Sequence, residues 1–144
     1  LASTCLYFSI EGAPPVSEPL LVLNGMGAAI DGRTVNNVCF PSTVSARYAP
    51  QGFSLASVTV IGEPSGTKEA LVDDVRAQLQ TWFGSDVHKW IFLRSYVIRH
   101  AQPAQQPPNG DSFDRAPRVS PGIYCCGDHR NTPSLNGALK SGRL

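Results

Sequence analysis

The chain has 144 residues, of which 42% are hydrophobic and 16% charged, the composition of one globular domain of ordinary size. Its formal net charge of +1 excludes the bulk attraction that draws basic proteins to nucleic acid, so no nucleic-acid partner is expected. No apolar run approaches the roughly 20 residues of a membrane-spanning helix, and the sequence leaves membrane association open without indicating it.

The first hundred residues predict a β-rich unit. Residues 4–10, TCLYFSI, are rich in aromatic and branched side chains, as β-strands are. Turn signals such as NGMG and GEPSGT separate further apolar runs. These runs predict strands at residues 20–23, 37–40, 54–61 and 90–99. Together the strands predict a mixed sheet that is accompanied by one internal helix.

That helix is predicted over residues 67–83. Thr67 can cap its N-terminus, and Gly84 is a natural stop at its C-terminus. Its buried stripe is predicted to consist of Leu71, Val75, Leu79 and Trp82. Asp73 and Asp74 fall largely on its polar side, so we interpret them as part of a solvated face rather than as an acid–base pair.

Arg94 and Tyr96 lie within the predicted strand 90–99. Strict alternation along the strand places them on the face that holds Trp90, Phe92 and Ile98. A charge among aromatic side chains is either paired or faces a cavity. Arg94 and Tyr96 are therefore candidates for lining a substrate cavity.

The rest of the chain predicts a linker followed by a strand–turn–helix unit. Residues 101–118 are low in apolar content and rich in proline, which predicts an extended and mostly exposed connection. Residues 119–125 predict a buried strand, and a helix is predicted to begin at Ser134. The chain is thus divided into residues 1–100, 101–118 and 119–144.

The cysteines predict neither a disulfide nor a metal centre. They are Cys5, Cys39, Cys125 and Cys126. Neighbours in a strand point to opposite faces, so Cys125 and Cys126 are poor partners for each other, and reduced thiols in an intracellular compartment are expected. Cys125, Cys126 and His129 lack the second pair of ligands that a zinc knuckle needs, so no metal site is predicted. The serines have no His–Asp constellation, and the catalytic residues stay unknown.

The C-terminal stretch GIYCCGDHRNTPSLNGALKSGR combines a strand, a Gly-Asp step and a helix start. The first turn of a helix offers unpaired N–H groups and partial positive charge, which suit a phosphate or an electron-rich carbonyl. Gly127 and Gly137 let the backbone approach a ligand without a Cβ between them. Asp128 can accept hydrogen bonds from sugar hydroxyls, and Ser134 suits the helix cap. This is the physical arrangement of a nucleotide-cofactor site.

The same stretch resembles the C-terminal FAD-binding motif of the flavin amine oxidase superfamily, which includes protoporphyrinogen oxidase and the phytoene-type carotenoid desaturases. The motif is a strand, a Gly-Asp step and Ser-x-x-Gly-Ala-x-x-Ser-Gly. Upstream, VNNVCFPSTVSARYAP, QLQTWFG and WIFLRSYVIRHAQPAQQPP resemble the plant and cyanobacterial branch. The resemblance implies an α+β fold that forms the C-terminal part of a two-domain FAD-dependent oxidoreductase.

FAD is the cofactor that this resemblance implies, and its contacts carry over position by position. Gly127 and Asp128 match the step that contacts the ribityl–pyrophosphate region. Gly137 and Ala138 match the small residues that let the helix lie close to the cofactor.

The helix start carries the remaining contacts that the resemblance implies. Ser134, Leu135 and Asn136 match the residues beside the flavin ring. A backbone N–H at or near Leu135 is expected to face the N1–C2 carbonyl edge, where the reduced flavin carries negative charge. Asn136 stands where many relatives carry Glu, so a contact specific to that carboxylate is not carried over.

The resemblance also assigns the parts of the chain. Residues 1–100 match a substrate-domain portion, residues 101–118 a crossover, and residues 119–144 the last strand and part of the last helix of the FAD domain. The Gly-x-Gly-x-x-Gly of the family's Rossmann unit has no match, since GMGAAIDG lacks the final glycine spacing. The expected partner is the missing N-terminal Rossmann portion, and the helix from Ser134 is expected to continue past Leu144.

Hydride removal from a C–H or C–N bond of a small-molecule substrate by the flavin is the implied function. Two other functions stay open: a flavin-free binding module on the same fold, as in the GDP-dissociation inhibitors, and a non-catalytic structural or interaction subunit. The isolated chain is expected to be inactive, to bind FAD weakly or not at all, and to self-associate. An intracellular location is expected, with the plastid as the compartment that the plant and cyanobacterial resemblance suggests.

Overall fold

The computed structural model of the chain describes residues 1–26, 30–103 and 114–143. They form two compact units: residues 2–99 make the larger one, and residue 1 with the residues from 100 onward makes the smaller one. Residues 27–29 of the GMGAAIDG stretch, residues 104–113 of the predicted linker and Leu144 lie outside the described residues. No helix in the described ranges combines the length and apolar character needed to cross a membrane.

The larger unit is a five-stranded sheet with a helix packed on it. Its strands are β1 (Ser3–Glu11), β2 (Leu21–Leu23), β3 (Val35–Cys39), β4 (Phe53–Ile61) and β5 (Ile91–Ile98). Their order across the sheet is β2-β3-β4-β1-β5. The strands predicted within residues 1–100 are confirmed, with small displacements of their ends.

Every strand pairing described in this sheet is antiparallel, so the predicted mixed sheet is wrong. The helix α1 (Lys68–Phe83) connects β4 to β5, and these two strands do run in the same direction. β1 lies between them and pairs antiparallel with both. The crossover helix therefore joins two parallel strands that are not neighbours, which is why the sheet contains no parallel ladder among its described residues.

Alternation along β1 and β4 builds the core. On β1, Leu6 and Phe8 are fully buried, and Tyr7 between them is partly exposed. Their partners on β4, Val58 and Ala56, are fully buried as well. This face packs against the buried side of α1, which consists of Leu71, Val72, Val75 and Leu79. The predicted stripe is confirmed except at Trp82, which is only partly buried.

The two ends of α1 are the ones that the sequence predicts. The Thr67 side chain accepts a hydrogen bond from the Ala70 N–H at 3.2 Å and so caps the N-terminus. Gly84 follows the last residue with a φ of 80°, and its N–H donates to the Gln80 carbonyl. A left-handed glycine at this position satisfies a carbonyl that the last turn would otherwise leave unpaired.

β5 contains a β-bulge between Phe92 and Arg94. Phe92 pairs with a core-facing residue of β1, whereas Arg94 pairs with Tyr7 on the other face of the sheet. The extra residue turns the strand over, so Arg94 and Tyr96 lie on the face opposite Phe92 and Trp90. The shared face that strict alternation predicts is therefore wrong.

The smaller unit contains short elements. They are β6 (Arg118–Ser120), β7 (Ile123–Tyr124), a 3-10 helix (Asp128–Arg130) and α2 (Leu135–Ser141). β6 and β7 form their own two-stranded antiparallel sheet, and the single buried strand predicted at 119–125 is wrong. Gly122, with a φ of 76°, turns the chain back between them. Val119, Ile123 and Tyr124 are exposed. α2 ends at Ser141, and its predicted continuation past Leu144 lies outside the described residues.

Candidate functional site

The residues predicted to contact the flavin lie on one continuous segment of the smaller unit. After β7 the chain passes through Gly127 into the 3-10 helix Asp128–Arg130, and it enters α2 at Leu135. The 3-10 helix packs against α2. The fold therefore packs the Gly-Asp step and its 3-10 helix against α2.

Gly127 is held by the far end of α2. Its N–H donates to Ser141 Oγ at 2.8 Å, and the same oxygen lies 3.0 Å from the Gly127 carbonyl and 2.8 Å from the Ala138 carbonyl. Gly127 has a φ of 149°, and a Cβ here would lie 2.7 Å from the His129 ring. The Gly127 N–H is thus engaged within the chain and is not available to a phosphate.

Ser134 is the N-cap of α2, which confirms that part of the prediction. Its side chain accepts a hydrogen bond from the Gly137 N–H at 3.0 Å, and its own backbone is extended. The backbone N–H groups of Leu135 and Asn136 have no acceptor among the described residues. Leu135 is 78% exposed. These two N–H groups are the donors that α2 presents at its start.

Gly137 is required by contacts within its own chain. The residue is buried, and an added Cβ would overlap the Thr132 carbonyl oxygen and lie 2.6 Å from the Thr132 hydroxyl. Gly137 therefore makes a close approach to Thr132 within the chain, and its approach to the cofactor stays a prediction. Ala138, the next small residue, is partly buried, and its carbonyl accepts from the Gly142 N–H at 3.3 Å.

Asp128 opens the 3-10 helix with a carboxylate that solvent reaches. Its side chain is 43% exposed, and Oδ1 lies 4.0 Å from His129 Nδ1. The other ring nitrogen of His129, Nε2, lies 3.4 Å from Cys125 Sγ. Across the described ranges, no three His, Cys, Asp or Glu side chains are grouped to hold a metal ion. Asp128 is placed where it can accept hydrogen bonds from an incoming hydroxyl.

An open hollow of about 550 Å³ runs along α2. It is lined by Asn136, Leu139, Lys140, Gly142 and Arg143. Gly127 and Asp128 are outside this lining, and Asn136 is the one predicted flavin contact that the described structure places in it. The side of α2, rather than the Gly-Asp step, therefore forms this hollow.

Arg94 lies on the open face of the five-stranded sheet in the larger unit. Its Nη1 donates to the Tyr96 hydroxyl at 3.4 Å, and its guanidinium carbon lies 5.9 Å from the centre of the Tyr96 ring. The hydrogen bond to Tyr96 raises the pKa of the Arg94 guanidinium. The Tyr96 ring meets Tyr7 edge-on at 6.0 Å. No carboxylate within the described residues pairs with Arg94, so this aromatic surface carries an unneutralised positive charge.

The contacts of two polar residues of the smaller unit are absent from the sequence predictions. Ser141 holds Gly127, and its signal in the sequence is the Ser-Gly pair that closes the C-terminal motif. Asp114 binds Lys140 Nζ at 3.0 Å and also accepts from the Asn131 amide. Asp114 gave no signal because Lys140 lies 26 residues away in the sequence.

The polar groups of the segment suit a flavin at the helix start and at Asp128. The N–H groups of Leu135 and Asn136 suit the electron-rich carbonyl edge of the flavin ring. The Asp128 carboxylate suits sugar hydroxyls. The Gly127 N–H does not offer a contact of this kind, because it donates to Ser141 Oγ. The helix start and Asp128 stay the predicted contacts.

The chain thus combines an antiparallel sheet and its crossover helix with a separate unit that carries a Gly-Asp step and a capped helix. The model of one family, the flavin containing amine oxidoreductases, matches residues 4–144, and the chain belongs to that family. Membership implies a flavin cofactor. No curated protein gives a significant sequence match.

Two solved structures share the fold. The PF1083 protein from Pyrococcus furiosus matches with a TM-score of 0.56 and 16% identity over 95% of this chain. An oxidoreductase from Methanosarcina mazei matches with a TM-score of 0.55 and 15% identity, also over 95% of this chain. The chain spans 29% of the length of the first protein and 32% of the second.

Proposed function

We propose that the chain is the C-terminal portion of an FAD-dependent oxidoreductase that removes hydride from a C–H or C–N bond of a small molecule. The observation that carries this proposal is the family match over residues 4–144. When bound, the flavin supplies the hydride-accepting chemistry, and the protein supplies position and electrostatics.

The start of α2 is proposed to orient the flavin ring. The N–H groups of Leu135 and Asn136 are donors without acceptors among the described residues, and they stand at the positive end of the helix. Donors fixed in this way stabilise negative charge on the carbonyl edge of the ring without having to reorganise. The Ser134 cap and the Ser141 contact to Gly127 hold the two ends of the segment in place.

The carboxylate of Asp128 is proposed to bind the sugar part of FAD. It is partly exposed and begins the 3-10 helix that packs on α2. A carboxylate accepts hydrogen bonds from hydroxyls, and it would repel a phosphate. Asp128 is therefore assigned to ribityl or ribose hydroxyls, and the pyrophosphate is assigned to the Rossmann portion that the family resemblance implies.

The open face of the five-stranded sheet is the proposed substrate-facing surface of the larger unit. Its side chains near β5 are aromatic, with the Arg94 charge among them. The antiparallel sheet buries its other face under α1, so this face is the one left for a ligand.

The flavin content of the complete gene product tests the proposed function. Flavin released from the purified protein by heat is separated by chromatography, which distinguishes FAD from FMN and riboflavin. We expect one FAD per chain. A folded, complete gene product that carries no flavin and binds none on titration would refute the proposal and favour the flavin-free binding module.

A further inference from the structure

A second hollow of the smaller unit, of about 260 Å³, is lined by several basic residues. Its lining includes Arg115, Arg130, Lys140 and Arg143, with Asp114 as its acidic residue. None of the residues predicted to contact the flavin lines it. The hollow therefore needs an explanation of its own.

Three stretches of the chain meet around this hollow. The Arg115 N–H donates to the Arg130 carbonyl at 2.9 Å, and the Arg130 guanidinium donates back to the Ala116 carbonyl. Lys140 Nζ lies 3.1 and 3.0 Å from the two carboxylate oxygens of Asp114. These bonds tie the stretch before β6 to the 3-10 helix and to the last turn of α2. The basic residues are thus brought together by the fold and are not neighbours in the sequence.

The charges of the hollow do not cancel. Asp114 neutralises Lys140, with which it forms an ion pair. The side chains of Arg115, Arg130 and Arg143 pair with no carboxylate of the described residues. Like charges gathered at one place repel each other, and an anion bound among them relieves that repulsion.

Helix capping accounts for only part of this arrangement. Lys140 and Arg143 stand at the C-terminal end of α2, where a positive charge is favourable whatever else the residue does. Arg115 and Arg130 belong to other segments, so helix capping does not explain their position. Their convergence on the same hollow is the observation that calls for a ligand.

We propose that this hollow binds an oxyanion of the phosphate class. Guanidinium groups match the oxygens of a phosphate with paired, parallel hydrogen bonds, which a lysine does not offer. The side chains of Arg115 and Arg143 are exposed, so solution reaches the site. The ligand is a phosphate or the phosphate group of a small metabolite.

Isothermal titration calorimetry of the chain with inorganic phosphate tests the site. We expect saturable binding of one phosphate, with a Kd on the order of a millimolar. Arg143→Gln removes one charged donor and should weaken binding about tenfold. The matched control is Arg47→Gln, because Arg47 is exposed on the larger unit and leaves phosphate affinity unchanged if binding is local. Circular dichroism confirms that both variants fold.

Amide and arginine Nε–H signals in a ¹⁵N-correlation spectrum locate the bound phosphate. We expect shifts at Arg115, Arg130 and Arg143 with phosphate and none with chloride at equal ionic strength. Absence of saturation, or equal weakening by Arg47→Gln, would overturn the proposal. The phosphate of a flavin nucleotide is the other source of the same chemistry. If FMN shifted these signals with an affinity at least tenfold higher than that of both riboflavin and inorganic phosphate, the hollow would belong to the cofactor, and a separate site would be ruled out.

Discussion

Two glycines of the smaller unit differ in what a side chain would meet. At Gly137 a Cβ would overlap the Thr132 carbonyl oxygen, whereas at Gly142 its nearest contact, the Leu139 carbonyl oxygen, is 3.7 Å away. Gly142 also has an ordinary helical φ of −87°. The same substitution should therefore have different effects at the two positions.

Gly137→Ala is expected to destabilise the smaller unit by about 1–3 kcal/mol, because the Thr132 backbone must move to make room for the methyl group. Gly142→Ala should change stability by no more than about 0.5 kcal/mol. Hydrogen exchange of the α2 amides, followed by NMR, reports on this unit separately from the larger one. Equal protection of α2 in the two variants would contradict the steric explanation.

Asp128→Ala, in the complete gene product, is expected to weaken FAD binding by about ten- to a hundredfold. A hydrogen bond to a charged group is worth about 1.5–3 kcal/mol, and the partly exposed side chain has little packing to lose. His129→Ala is the neighbouring control and should cost much less. Flavin fluorescence titration gives both affinities. Unchanged FAD affinity in Asp128→Ala would remove the residue from the site.

The sequence predicts local contacts of these residues and misses distant ones. Ser134 is predictable as a cap because a serine before a helix start bonds an N–H only three positions on. Ser141 bonds Gly127 across 14 residues, a contact that depends on how the 3-10 helix folds back. Asp114 and Lys140 are farther apart still. The polar contacts of the candidate site are thus predictable only where the backbone geometry between the partners is regular.

Strands and helices were predicted well in the larger unit because their signals repeat. The apolar alternation of β1 and the capped, striped pattern of α1 each extend over several turns or pairs. The bulge after Phe92 moves the following side chains to the other face of the sheet, and the turn at Gly122 reverses the chain. Each change takes place within one or two residues. The apolar alternation of the sequence does not indicate such a change. The face of Arg94 and the β6–β7 ribbon were consequently predicted wrongly.

The turn that leads into β3 depends on one ionised carboxylate. Asp31 accepts hydrogen bonds from the Thr34 hydroxyl at 2.7 Å and from the N–H groups of Thr34 and Arg33 at 2.8 Å. The Thr34 hydroxyl, followed by the two N–H groups, lowers the pKa of Asp31 to about 2. Because the folded-state pKa lies below the ordinary value, ionised Asp31 stabilises the fold above about pH 4.

This stabilisation should disappear as the pH falls from about 4 to about 2. We expect the difference in unfolding free energy between wild type and Asp31→Asn to be constant near neutral pH and to shrink across that window. Thr34→Val removes the hydroxyl that lowers the Asp31 pKa most, so it should make the effect of Asp31→Asn on the unfolding free energy smaller. Urea unfolding followed by tryptophan fluorescence measures it, since both tryptophans lie in the larger unit. A difference that persists at pH 2 would contradict the assignment.

The larger unit leaves an apolar sheet edge open. β5 is the last strand of the sheet in the described structure, and it exposes Ile91, Leu93, Val97 and Ile98. An edge strand with unpaired N–H and C=O groups and apolar side chains is a template for pairing with another chain. This chain should therefore associate with itself as its concentration rises.

Val97→Lys should reduce that association, because a charge on the edge strand opposes pairing. Val44→Lys, at a more exposed valine that is not on β5, is the control and should leave association unchanged. Sedimentation velocity at micromolar to near-millimolar concentrations measures the effect. A wild-type chain that stays monomeric over this whole concentration range would show that the β5 edge does not drive association.

The central position of β1 has a consequence for synthesis on the ribosome. Ser3 pairs with Ile61 on one side and with Ile98 on the other, so both partners of this strand are made long after it. At about 5–20 residues per second, β1 waits several seconds for β4 and roughly twice that for β5. Through that interval its alternating apolar residues and both of its hydrogen-bonding edges are open to the chaperones that meet nascent chains. The last strand of this five-stranded sheet to emerge completes the pairing of the first, and the sheet can close only when translation has passed β5.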